Sequence, residues 1–129
     1  MIAAALTDLP GSSDVFDRGF VTYSNAAKAT MLGVSEATLA SCGAVSEPVA
    51  REMATGALSR AGVGLAVSVT GIAGPGGSEF KPEGRVCFGL ATADGCHTET
   101  VDFGPLGRAA VRTAARDHAL AMLRASLNG

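Results

Sequence analysis

The sequence has little charge of either sign and lacks long apolar runs. Charged residues make up 17% of the 129 residues, and the formal net charge is −2, which gives no basic field to hold nucleic acid or an anionic membrane. No apolar run approaches the roughly 20 residues of a transmembrane helix, and residues 1–6 lack the basic start of a signal peptide. We therefore expect a cytoplasmic protein with no nucleic-acid partner and no membrane partner.

Metal-ligand patterns are also missing. The three cysteines (Cys42, Cys87 and Cys96) are odd in number and have no C-x-x-C spacing, which argues against a zinc site and against a complete disulfide framework. His97 and His118 have no second His or Cys at ligand spacing. We expect free thiols in a reducing compartment, no metal and no cofactor.

The sequence is rich in glycine, and four of its 17 glycines fall within "SVTGIAGPGG", residues 68–77. This stretch matches neither the dinucleotide G-x-G-x-x-G pattern nor the G-x-x-x-x-G-K-[ST] phosphate loop, and the nucleophile elbow G-x-S-x-G is absent from the chain. Its glycine-containing part, from Thr70 onward, directly follows "LAVSV", which is typical of a buried strand. Open α/β sheets bind ligands at the carboxyl ends of their strands. Backbone N–H groups of these glycines could bind an anion, or the stretch could be a structural turn.

The hydrophobic content of 47% predicts one packed domain. Residues 1–9 read as a helix without a capping residue, whereas Ser24 or Asn25, Ser35 and Ser46 are placed to cap three further helices. A long helix is expected from residue 108 to 127, with its core stripe on Val111, Ala115, Ala119 and Met122.

Four strands are predicted, at residues 19–24 and in "LAVSV", "RVCFGLAT" and "HTETVDF". Helices between several of these strands favour an α/β fold, which we predict to be a three-layer α/β/α sandwich with a mixed, mostly parallel sheet.

Three charged residues are candidates for chemistry. Lys28 follows the segment that carries Tyr23, and a lysine can act as a general base when burial favours its neutral form, with a tyrosine relaying a proton. On the residues alone, a solvated helix lysine is the favoured interpretation of Lys28. Arg108 and Arg112 lie one turn apart at the start of the last helix, where they suit a phosphate or carboxylate or simply form a polar outer face.

Several motifs together resemble the C-terminal domain of the competence/damage-inducible protein CinA, a family whose stand-alone members are nicotinamide-nucleotide amidohydrolases. The matching segments cover nearly the whole chain, and the most specific are "TYSNAAK", "GAVS" and "TGIAGP". The resemblance implies hydrolysis of nicotinamide mononucleotide (NMN) to nicotinate mononucleotide and ammonia by a Ser-Lys mechanism.

The resemblance also implies the site residues. Lys28 would be the base and Tyr23 its assistant, and the nucleotide would lie against Thr70, Gly71, Ile72, Ala73 and Gly74. Arg108 and Arg112 would bind its phosphate. We also expect a homo-oligomer, a dimer or larger.

The sequence departs from the family pattern in one decisive respect. The family's serine lies in an E-S-C-T-G-G motif that would precede Met1, and the 129 residues contain no such motif. We therefore expect a single domain, residues 1–129, that lacks the family's first strand and serine and shows no deamidase activity as it stands. The alternative is a non-catalytic nucleotide-binding or interaction module. A second departure is "KPEGR", where "KPVGT" is usual, because Glu83 could alter the charge near the glycine-rich stretch.

Overall fold

The computed structural model describes residues 1–78 and 80–128 and contains five α-helices and three strands within them. The elements in chain order are α1 (Ile2–Thr7), α2 (Asn25–Leu32), α3 (Glu36–Cys42), α4 (Glu47–Ala61), β1 (Leu65–Gly71), β2 (Arg85–Thr92), β3 (Gly95–Asp102) and α5 (Arg108–Asn128). A short 3-10 turn, Ser12–Asp14, follows α1.

The sheet has the order β1-β2-β3, and both pairs are antiparallel. The α/β class is confirmed, but the mixed, mostly parallel sheet predicted for the three-layer sandwich is wrong for these strands. The physical reason lies in the connections. Parallel neighbours need a crossover, usually a helix. Here the connection from β1 to β2 has no helix in its described residues, 72–78 and 80–84, and a tight turn joins β2 to β3.

The predicted strand at residues 19–24 is also wrong. This segment has no regular structure before Ser24, and Val21 in it is 83% exposed. Its β-branched and aromatic residues suit a strand, but a strand also needs a neighbour for its backbone hydrogen bonds, and none of the described residues pairs with it.

Helix starts and stops follow local capping chemistry. The hydroxyls of Ser24, Ser35 and Ser46 each accept a bond from the backbone N–H three residues on, which satisfies a donor that has no partner within the helix. Gly33 and Gly62 end α2 and α4 in the left-handed conformation. α1 begins at Ile2, and Met1 before it forms no side-chain cap, as predicted.

Helices pack on both faces of the sheet. The predicted stripe of α5 is buried and packs against β2 through Val86 and Phe88, which is fully buried. On the other face, Ala50 of α4 packs with Cys87 and Ile72. The alternation of side chains along β2 therefore divides the core into two halves.

α2 crosses α4 at a close backbone contact. A Cβ on Gly56 of α4 would lie 1.9 Å from the carbonyl oxygen of Leu32, the last residue of α2. Glycine is required because no side chain fits this gap. The contact sets how closely α2, and with it Lys28, lies to α4.

The edge strand β3 is held to α5 by a carboxylate between two imidazoles. Glu99 accepts bonds from His97 Nε2 at 2.8 Å and from His118 Nε2 at 2.6 Å, and the His118 ring packs 4.4 Å from that of Phe88. The pKa of Glu99 lies below its usual 4.5, first because of the hydrogen bond from His97 and also because of the hydrogen bond from His118.

Gly56→Ala tests the crossing of α2 and α4. Alanine alone would favour the helix by about 1 kcal/mol, but the collision with Leu32 should instead lower the free energy of unfolding by about 1–3 kcal/mol. Gly64→Ala is the control, because a Cβ there meets no atom within 4 Å. Urea unfolding measures both, and a Gly56→Ala variant more stable than the parent would contradict the crossing.

Glu99 should make stability fall in acid. The pKa of Glu99 is lower in the folded state than in the unfolded state, where it is near 4.5. Its contribution to the free energy of unfolding is therefore complete above the unfolded-state pKa and is lost as pH falls through the folded-state pKa. Glu99→Gln should therefore be less stable than the parent at pH 7, and the difference in stability should be smaller at pH 3. Thermal unfolding at both pH values measures this, with Asp94→Asn as the control, and a gap that is constant with pH would disprove it.

Candidate functional site

The described residues enclose a groove of about 1380 Å³. One end, which we call the loop end, is lined by Tyr23, Lys28, Ala44, Val45, residues 70–78 and Arg108. The other, the strand end, runs between residues 15–22 and residues 63–69 and reaches Leu123 and Leu127 of α5. The predicted lysine, tyrosine and glycine-rich stretch thus lie around one space.

Lys28 is buried at the loop end. Ser24 starts α2 so that Lys28 and Leu32, one turn apart, both face inward, and Lys28 is 8% exposed. Its Nζ donates to the carbonyl of Thr22 at 2.9 Å. The alternative of a solvated helix lysine is therefore wrong.

Arg108 connects two walls of the groove. It is the first residue of α5, and its Nη1 donates to Gly74 O at 3.2 Å while its Nη2 donates to Tyr23 Oη at 3.4 Å. Tyr23 is 86% exposed, so a ligand can reach its hydroxyl. Arg112, one turn further along α5, is exposed and lies outside the groove lining, so the structure does not bring it to the site.

The glycine-rich stretch needs its glycines for close packing. A Cβ on Gly71 would lie 2.8 Å from Val86 Cγ2, and one on Gly74 would lie 2.1 Å from Glu83 Oε1. Gly74 also has a φ of +90° and precedes a cis peptide bond to Pro75. The carboxyl group of Glu83 therefore lies against the loop, where the sequence predicted an effect on charge.

The predicted nucleotide-contacting residues differ in what they present to the groove. The side chain of Ile72 is buried with Val45 and Cys87, and Ala73 packs towards the core on the α5 side. The hydroxyl of Thr70 donates to the carbonyl of Ala44 at 2.8 Å. These three residues therefore direct their side chains mainly into the protein, and their backbone is what lines the groove.

Burial makes Cys87 a poor nucleophile. It is 2% exposed, and desolvation is the main reason that its pKa is raised, which keeps the thiol neutral. Over the described ranges, no three His, Cys, Asp or Glu side chains are grouped so that they could hold a metal ion. The part of the chain that the structure describes has no helix long and apolar enough to cross a bilayer.

The strand end of the groove follows an unpaired sheet edge. Within residues 1–78 and 80–128, β1 pairs with β2 along its whole length and with no strand on its other side. Val67 and Val69 of β1 are partly buried, and they line the groove together with the irregular segment that contains Val21. An edge of this kind is a template for a further strand.

Sequence reasoning missed Ala44 and Val45, which lie in the turn between α3 and α4 and line the loop end. Their small or aliphatic side chains carry no chemical signal. The signal that could have pointed to this turn is Lys81, which with Lys28 makes up the two lysines of the sequence. Its Nζ donates to Cys42 O at 2.6 Å and to Val45 O.

Fold and site together define an α/β domain in which a glycine-rich loop and a buried lysine face one groove. The family model described as "CinA C-terminal domain" matches residues 1–127. The chain therefore belongs to the CinA C-terminal domain family.

Named relatives agree with this assignment. The chain is 65% identical over 96 residues to "Nicotinamide-nucleotide amidohydrolase PncC" of Enterobacter agglomerans, a match that takes 74% of this chain and 58% of that protein. It is 63% identical over 95 residues to the protein of the same name from Escherichia coli K12, covering 73% and 58%. A solved structure, competence/damage inducible protein CihA from Agrobacterium tumefaciens, superposes with a TM-score of 0.94 at 50% identity over 99% of this chain and 78% of that one.

The matches leave part of each relative uncovered. The chain spans 58% of the two amidohydrolases, and in a match to a "CinA-like protein" of Chlorobium phaeobacteroides it spans 26% of that protein. The activities of these whole proteins are therefore proposals for this chain.

Thr70→Val tests whether the Thr70 hydroxyl holds the turn between α3 and α4. Valine keeps the shape but removes the donor to Ala44 O, and the free energy of unfolding should fall by about 1–2 kcal/mol. Thr70→Ser keeps the hydroxyl and is the matched control. Denaturant unfolding compares the two, and equal stability of the valine and parent chains would contradict this role.

Proposed function

We propose that this chain forms the base and nucleotide-binding part of a nicotinamide-nucleotide amidohydrolase. The observation that supports it most is the position of Lys28, buried at the end of the groove where the glycine-rich loop, Tyr23 and Arg108 also lie. The relatives named for this activity, at 63% and 65% identity, supply the substrate class. NMN is thus the proposed ligand.

In this proposal the loop end of the groove orients NMN through contacts to its phosphate and along its length. Arg108 lines the groove, and its guanidinium donates to the carbonyl of Gly74. It can give up this bond to bind the 5′-phosphate, because a charged oxygen is the stronger acceptor. Backbone groups of residues 70–74 lie along the nucleotide. Arg112 would reach the phosphate only if the ligand extends over the first turn of α5, since it lies outside the groove lining.

The chemical step needs a serine that the 129 residues do not offer in an E-S-C-T-G-G motif. We propose that this serine lies in the turn that follows a further strand. That strand would add to the unpaired edge of β1, in the strand end of the groove, and extend the sheet, so that the turn after it brings the serine to Lys28. Its Oγ would attack the carboxamide carbon while Lys28 Nζ takes the hydroxyl proton and returns it to the departing ammonia. Water would then hydrolyse the acyl-enzyme, with Tyr23 assisting the proton transfers.

A second candidate is a nucleotide-binding module without turnover. It is favoured by the observation that Lys28, Tyr23, Arg108 and the glycine-rich stretch line one groove while the E-S-C-T-G-G motif is absent from the 129 residues. Under this candidate the chain binds NMN, and an added serine segment would not create activity. A cytoplasmic location and a homo-oligomer remain part of the proposal.

The 129-residue chain should release no ammonia from NMN, and the chain extended at its N-terminus by a family strand and E-S-C-T-G-G segment should do so. In the extended protein, Lys28→Ala should reduce kcat by about 10³-fold or more, because a lost member of a cooperative catalytic unit removes most of the rate.

Arg124→Ala, on the exposed surface of α5, is the control and should leave kcat unchanged. Ammonia release at the parental rate from extended Lys28→Ala would refute the role of Lys28. Binding of NMN without turnover by every extended protein would favour the module.

A further inference from the structure

Both lysines of the sequence bond to backbone carbonyls beside the groove. Lys28 Nζ donates to Thr22 O, and the proposed function gives it a role. Lys81 Nζ donates to Cys42 O and Val45 O, and nothing in the proposed chemistry uses it. An ammonium held by neutral carbonyls at the edge of a ligand groove calls for a physical explanation.

The acceptors of Lys81 belong to an irregular turn, residues 42–45, that we call the carbonyl turn. Each of its four carbonyls accepts a side-chain bond: Lys81 binds the first and the last, Ser46 Oγ the second at 2.8 Å, and Thr70 Oγ1 the third at 2.8 Å. The first of these ends α3, where a helix leaves its carbonyls without internal partners. The turn is therefore shaped by donors from outside it.

Lys81 comes from the far arm of the glycine-rich loop. Its backbone exchanges two hydrogen bonds with Ser78, of 3.1 and 2.8 Å, and a Cβ on Gly77 would lie 2.4 Å from its carbonyl oxygen. Gly77 and Ser78 both line the groove. A displacement of Lys81 must therefore displace this wall.

We propose that Lys81 is a positioning residue that fixes the glycine-rich loop to the carbonyl turn and thereby presets the two facing walls of the ligand groove. Ala44 and Val45 form one wall, and residues 71–78 form the other. The ammonium suits this task because its donors are charge-assisted and can serve both ends of the turn at once. The identity of the ligand as NMN rests on the proposed function, but the fixing of the loop does not.

The first test needs no ligand. Hydrogen–deuterium exchange in peptides covering residues 71–78 should be at least about fivefold faster in Lys81→Met, which keeps the apolar stem and removes the donors. Exchange in α5 should not change. Lys81→Arg, which can bond both carbonyls through its fork, should stay within about twofold of the parent.

The second test is calorimetric titration of the 129-residue chain with NMN. Lys81→Met should raise the Kd about tenfold, and Lys81→Arg should restore most of the affinity. Arg124→Met removes one positive charge from the exposed surface of α5 and is the matched control for net charge. If Lys81→Met does not fold, Lys81→Gln, which keeps one N–H donor group, replaces it in both tests.

The outcomes separate the two proposals. Faster loop exchange in Lys81→Met together with weaker NMN binding supports the positioning role. Faster loop exchange in Lys81→Met supports it also if the parent chain binds no NMN, a result that refutes the proposed ligand. Unchanged loop exchange in Lys81→Met overturns the positioning role. An equal loss of affinity in Arg124→Met also overturns it, because charge alone would then explain the effect.

Discussion

The one-sided pairing of β1 determines where the site lies. β1 bonds to β2 along its full length, and its other edge, within the described ranges, faces the groove. The glycine-rich loop must leave from the end of β1 and return to β2, so it closes one end of that groove. Lys28 reaches the same end because the contact of Gly56 with Leu32 holds α2 close to α4.

The fold was predictable where its determinants are local. Ser24, Ser35 and Ser46 cap helices through bonds spanning three residues, and such bonds can be read from sequence. The predicted strand direction was wrong. The two-residue turn at Ala93 and Asp94, followed by Gly95, and the lack of a helical pattern between β1 and β2 both favour antiparallel pairing. The prediction of a strand at residues 19–24 was wrong because strand pairing depends on a neighbour distant in the chain, which the local sequence does not show.

The site was predictable mainly through the resemblance. Spacing alone left Lys28 as an ordinary surface lysine, because its burial depends on how α2 packs against α4. Arg108 was recognised as a helix-start cation, but its bonds to Gly74 and Tyr23 join residues far apart in the chain. The bonds from Lys81 to the carbonyl turn likewise span 36 and 39 residues and leave no periodic pattern.

The central claim is that the loop end of the groove binds NMN next to Lys28. The most direct measurement is an NMR titration of the chain labelled with ¹⁵N in its lysines, which gives side-chain signals from Lys28 and Lys81 alone. The account predicts that NMN shifts the Lys28 signal in a saturable manner and that nicotinamide without its ribose phosphate shifts it far less. A Lys28 signal that stays unchanged up to millimolar NMN would contradict the account.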